Sequence, residues 1–317
     1  MKKYLYIAIA AATLASCSQD DTLDLVQGEE IQFSNAFVEN STRATDPTYG
    51  AVALTKFNVY GTVKGVGVAN PVNIYNGNEV TGTVGTNSTW TCASNKQYWI
   101  TGATYNFAAV VDAKSVVTTD ANAYGMPTKL TYETVDQKDL LYASNSNPTI
   151  GEKVAFTFDH LLSKAWFTVS SNTTNGYSYS VKNIKVSNFE KGTYTINGGT
   201  WAGETAKDIE FGDIEGVTAS NNNITNETQM LLIPNTADFT VTFTIELNYG
   251  DNKVETKKCS STVTTDLVKG HTYNFKLDLT IGNEIQFTVA NNPTWDNGNT
   301  HDSDNDKVND YIPVTIN

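Results

Sequence analysis

The clearest chemistry in this 317-residue sequence lies at Leu14-Ala15-Ser16-Cys17. A cysteine behind two small residues and a leucine, directly after an apolar stretch, has the pattern of a lipobox. In that reading the Cys17 thiol is acylated and a signal peptidase cuts between Ser16 and Cys17. Two or more acyl chains anchor a protein stably, since each buried CH₂ contributes about 0.8 kcal/mol. Lys2-Lys3 and the apolar run Tyr4 to Leu14 supply the rest of the signal peptide. That run is too short to span a bilayer. An ordinary secretory signal with a chance cysteine is the competing reading.

Other candidate chemistry is thinner. Asp302, Asp304, Asp306 and Asp310 have the spacing of a calcium loop, which places oxygens on alternate residues. Lys307 stands where such a loop needs glycine for its turn. The stretch reads rather as a solvated acidic linker, and no metal is expected. His160, His271 and His301 are scattered, and His160 shares parity with apolar neighbours, as a structural histidine would. No P-loop, G-x-S-x-G, H-E-x-x-H or paired-cysteine motif is present. Carboxylates are abundant, but nothing marks a glycosidase pair. The expectation is a non-enzymatic protein without a cofactor. Cys92 and Cys259 are expected as free, partly buried thiols, although export leaves one disulfide open to them.

The elements that carry these residues are strands. Hydrophobic residues make up 39% and aromatics 11%, enough for a substantial core, while charged residues are only 17%. Abundant Thr, Val and Tyr favour strands, and Asn favours turns. The formal charge is −13, and removal of residues 1–43 would leave about −10. An acidic body excludes nucleic acid as the expected partner, because phosphate binding needs Lys and Arg patches.

Period-2 alternation recurs along the chain, as in Tyr105, Phe107, Ala109 and Val111, or Phe239, Val241, Phe243, Ile245 and Leu247. One face of such a strand is buried and the other solvated. Parity changes between His160 and Lys164, as where a chain leaves one sheet for another. The pattern predicts an all-β chain of two β-sandwich domains in tandem. The expected divisions are 1–16 (signal peptide), 17–43 (N-terminal propeptide), 44–160 (first sandwich) and 161–317 (second sandwich, with a polar linker and a terminal strand).

Both ends carry strand-like segments. Near the start, Glu30-Ile31-Gln32-Phe33 through Phe37-Val38 is followed by a lone arginine in Ser41-Thr42-Arg43-Ala44. Asn283 to Val289 echoes its Glu-Ile-Gln-Phe run. At the other end Ile312, Val314 and Ile316 lie on one face of a terminal strand. A terminus frays unless it is tied down, so this row of knobs suits a groove.

Phe158-Asp159-His160-Leu161-Leu162-Ser163-Lys164 resembles a segment typical of fimbrillins, the pilin lipoproteins of Bacteroidetes. Other pieces fit in order: Thr42-Arg43-Ala44, Phe57-Asn58-Val59-Tyr60-Gly61, the Gly-Thr-Tyr to Gly-Gly-Thr-Trp run at 192–201, Leu231-Leu232-Ile233-Pro234 and Lys269-Gly270-His271-Thr272-Tyr273. Ser18-Gln19-Asp20-Asp21 resembles the acidic export tag of surface lipoproteins in the same phylum. The resemblance implies two transthyretin-like β-sandwiches and delivery to the outer membrane as a lipid-anchored precursor. It implies cleavage between Arg43 and Ala44, loss of a strand carrying Ile31, Phe33 and Phe37, and assembly with other pilin subunits into a type V pilus. The donor strand would be Tyr311–Asn317, with Ile312, Val314 and Ile316 as its knobs. Host or bacterial surface ligands would be further partners. The rival reading is a glycan-binding surface lipoprotein using aromatics such as Trp90, Trp99 or Trp201.

Overall fold

The computed structural model describes residues 29–38, 54–82, 90–111, 117–174, 176–225, 229–250, 253–280, 285–292, 307–308 and 314–316. The strands from the N-terminus are β1 (Phe33–Val38), β2 (Lys56–Lys64), β3 (Val72–Thr81), β4 (Thr104–Val111), β5 (Val117–Ala121), β6 (Pro127–Glu133), β7 (Leu141–Ser146), β8 (Val154–His160), β9 (Ser163–Ser170) and β10 (Ser178–Thr195). Then come β11 (Thr200–Glu210), β12 (Ile214–Val217), β13 (Ile224–Thr225), β14 (Met230–Leu232), β15 (Phe239–Asn248), β16 (Val254–Val263), β17 (Thr272–Asp278), β18 (Gln286–Asn292), β19 (Lys307–Val308) and β20 (Thr315–Ile316). A 3₁₀ turn, Thr134–Asp136, interrupts them. No helix among the described residues is long and apolar enough to cross a membrane.

The expected all-β class is what the chain adopts. A first sheet runs β1-β8-β7-β4-β2-β3. Its inner face gathers Phe57, Val59, Phe107, Ala109, Phe156 and Phe158 into one core. A second core lies between the sheet β20-β16-β15-β10-β6-β5 and the sheet β13-β9-β17-β18-β19. Clean alternation in β15 explains its face: Phe239, Val241, Phe243 and Ile245 are buried, and the threonines between them are not. Cys92 and Cys259 are free and buried, one in each core.

β8 ends at His160 and β9 begins at Ser163, where the parity of the sequence changes. The sheets nonetheless interlock across that point. The β5–β6 hairpin, upstream of it, pairs with β10 of the second body through Lys191↔Glu133 to Thr195↔Lys129. β10 is 18 residues long and reaches from β15 to β6. Where the two bodies meet, Val110, Leu130, Tyr132, Leu140, Leu161, Leu162, Tyr194, Leu231 and Ile233 form a third cluster. Asn188 secures it, donating to the Ile233 carbonyl and accepting from the Ile233 amide.

This junction corrects one expectation. Alternation predicts a solvated outer face for β4, yet Ala108 and Val110 on that face are buried, because the junction cluster lies there. His160 is the structural histidine expected: its Nδ1 is hydrogen-bonded to buried Asp139.

Candidate functional site: a strand held along both edges

Residues 29–38 occupy a slot in the first sandwich. On one side β1 runs parallel to β8, with Phe33 opposite Val154 and Ala36, Phe37 and Val38 opposite Phe156, Thr157 and Phe158. The Val154 amide donates to the Gln32 carbonyl at 2.8 Å. On the other side the chain segment 90–99 supplies isolated bridges, Phe33 to Trp90 and Glu30 to Tyr98. Phe33 and Trp90 exchange both amide–carbonyl bonds, at 3.0 and 3.1 Å. The Ile31 amide donates to the Gln97 carbonyl at 2.8 Å, and the Trp99 amide to the Glu29 carbonyl at 3.1 Å. Residues 97–100 form no strand and make one bridge, at Tyr98.

Side chains deepen the fit. Phe33 is fully buried and its ring lies 5.9–6.2 Å from four others. It stacks on Phe156 and meets Phe57, Tyr75 and Phe107 edge-on. Such offset and edge-to-face pairs add to the area they bury. Gly61 makes room for this box: a Cβ there would stand 2.9 Å from the Phe107 ring and 3.0 Å from that of Tyr75. The Phe57-to-Gly61 motif in the sequence therefore has a packing role. Ile31 is buried beside Phe33 in the same core.

The electrostatics are local. Glu30 pairs with Lys96 at 2.8 Å, and that contact raises the lysine's pKa. Burial holds the Tyr75 phenol protonated far above its ordinary range, and nearby Cys92 and Glu30 push the same way. The slot is thus an apolar socket with one charged clasp at its entrance.

The second sandwich shows what this strand stands for. β9 likewise runs parallel to a later strand, β17, along Lys164↔Thr272 to Ser170↔Asp278. Its other edge is antiparallel to β13 and β14. Phe167 sits between Phe275 and Phe211, at 4.9 and 5.0 Å. β1 and β9 fill the same place in their two sandwiches. Their difference is attachment: β9 follows β8 within two residues, whereas residues 39–53 lie between β1 and the body.

At the far end of the chain, β20 lies antiparallel on the edge of β16, with Ile316 opposite Cys259 and Thr315 opposite Ser260. Val314 is half-buried against the second core. The terminal strand therefore rests on its own chain. Ser16, Cys17, Arg43, Ala44, Asp302, Asp304, Asp306, Asp310 and Ile312 lie outside the described residues. No cluster of metal-ligating side chains occurs among the described ones.

The tryptophans of the rival reading are not a carbohydrate platform. Trp90 and Trp99 are buried in the first core. Trp201 is half-buried at the junction, donating its indole N–H to the Leu161 carbonyl at 2.7 Å.

Fold and site together define a class: an all-β chain whose first sandwich is completed by an N-terminal strand joined to it through a separate segment. The fimbrillin-like family profile matches residues 42–293. The chain belongs to that family. A comparison with curated protein sequences finds no match. Among solved structures, a fimbrial protein from Bacteroides vulgatus is similar at 16% identity and a TM-score of 0.59, covering 85% of this chain and 100% of its own. A candidate cell adhesion protein from Bacteroides uniformis is similar at 16% identity and a TM-score of 0.52, covering 84% and 98%. At these identities the likeness concerns the fold.

Proposed function

We propose that the chain is a structural, pilin-like subunit of a cell-surface fimbria that contributes to adhesion. It reaches the outer membrane as a lipoprotein anchored through Cys17. Cleavage after Arg43 frees residues 17–43, and the strand at 31–38 leaves its slot. A terminal strand equivalent to Tyr311–Asn317, from another subunit, takes its place.

One observation carries this reading. Residues 29–33 are bonded along both edges, 33–38 pair with β8, and Phe33 fills an aromatic socket, yet in sequence the segment is joined to the body only through 39–53, which holds Arg43. Arg43 is the chain's only arginine, so an arginine-specific protease has a single site. Departure of the strand leaves β8 as an open edge, which is strongly prone to pairing. An incoming strand regains the main-chain bonds and buries alternate side chains. Each aliphatic knob contributes roughly 1.5–3 kcal/mol. The donor must first come off β16, where Thr315 and Ile316 make the described pairing.

The test is to treat the purified precursor with an arginine-specific protease. Loss of residues up to Arg43 and ladders stable in mild detergent are expected, and an Arg43→Ala precursor stays whole and monomeric. Deletion of residues 311–317 abolishes the ladders. Monomers that persist after complete cleavage would overturn the assembly mechanism.

A further inference from the structure

One end of the first sandwich exposes apolar side chains that its core does not use. Val66 is 82% exposed, at the tip of the loop from β2 to β3, with Val68 and Val72 beside it. Val66 reaches across to the neighbouring turn at 100–103: its Cγ2 lies 3.3 Å from where a Cβ on Gly102 would stand. Ile100 opens that turn, accepting from the Ala103 amide, and is exposed too. Tyr98, two residues earlier, is half exposed and lies opposite Glu30. The patch therefore abuts the entrance of the slot that residues 29–38 fill. Single exposed apolar residues need no explanation, but a contiguous group beside a binding groove marks an interaction surface.

Strand direction says what covers it. β1 runs from Phe33 opposite Val154 to Val38 opposite Phe158, so its N-terminal end lies at the patch. Its bonds to Gln97, Trp90, Trp99 and Val154 alternate donors and acceptors along both edges in that direction. A replacement strand running the same way meets those donors and acceptors in turn, whereas a reversed strand needs a new register on both edges. A donor strand at a C-terminus has its own body on its N-terminal side. That body arrives at the end of the sandwich where Val66, Val68, Val72, Tyr98 and Ile100 lie. Departure of Glu30 uncovers Tyr98 further.

We propose that this apolar pole is the seat for the body of a second copy of the chain, whose terminal strand fills the slot. The proposal rests on the strand-exchange reading and adds a second contact to it: the groove holds the strand, and the pole holds what the strand is attached to. The two contacts are linked, so the pole raises the effective concentration of the strand at the groove.

The test separates them. A Val66→Asp/Val68→Asp double variant alters only loop residues and is compared with Val135→Asp, a control at another exposed valine, on the 3₁₀ turn. After cleavage each is mixed with intact subunits, and separately with a synthetic peptide of residues 309–317. The double variant is expected to bind the peptide like the unaltered chain while forming ladders at least tenfold more slowly, with the control unchanged. Ladders at the unaltered rate would overturn the proposal, as would loss of peptide binding in the double variant or equal slowing of the control. If the peptide fails to bind even the unaltered cleaved chain, strand exchange itself is wrong and the seat falls with it.

Discussion

Phe33 touches four aromatic rings from β2, β3, β4 and β8, and so ties the slot's occupant to most of the first sheet. Truncating such a side chain removes its burial and leaves a cavity that the surrounding rings fill only partly. Phe33→Ala is expected to destabilise the uncut precursor by about 3–5 kcal/mol, read from guanidinium unfolding midpoints. In a chain already cut and stripped of residues 17–43 the same substitution has nothing to act on. At this scale much was legible. Ile31 and Phe33 share parity in a strand-like run, and both are buried. The aromatic box was not legible, because its members come from positions 57, 75, 107 and 156 and no local pattern links them. The tryptophans show the same limit: sequence alone leaves Trp90 and Trp99 as core or platform, and only the fold places them inside.

Among the elements, the pairing of β1 with β8 joins segments more than a hundred residues apart in parallel. Alternation identifies a strand and its buried face, but not its neighbour, because any edge of suitable register satisfies the same pattern. The same gap hid the β5–β6 hairpin's attachment to β10 and the junction cluster that buries both faces of the C-terminal half of β4. By contrast β15 was readable almost residue by residue, since it presents one apolar and one polar face, whereas β17, paired on both edges between β9 and β18, buries Thr272 and Asn274 on its polar face as well. The pairing has a direct readout. The Val154 amide, bonded to Gln32, is expected to be protected from hydrogen exchange in the precursor. It should exchange faster once residues 29–43 are removed and regain protection as ladders form. Protection unchanged by strand removal would mean that β8 finds another partner within its own chain.

Across the whole molecule, the two bodies are joined by the pairing of β6 with β10 and by the junction cluster, with the buried Asp139–His160 pair just ahead of it. Removing Asp139 takes away a buried hydrogen-bond partner of His160. Asp139→Ala is expected to lower stability by about 1–3 kcal/mol. Because the bodies interlock, calorimetry should show one transition displaced as a unit; two resolved transitions would mean that the sandwiches unfold separately. The likeness of β1 and β9 has a final consequence. Both strands complete a sandwich, but β9 is continuous with β8 on one side and leads to β10 on the other, so a single cut in 39–53 unlocks only β1. Under strand exchange each subunit then has a valence of two, one socket and one plug. Growth is strictly linear without branches, and average filament length is set by the fraction of chains left uncut.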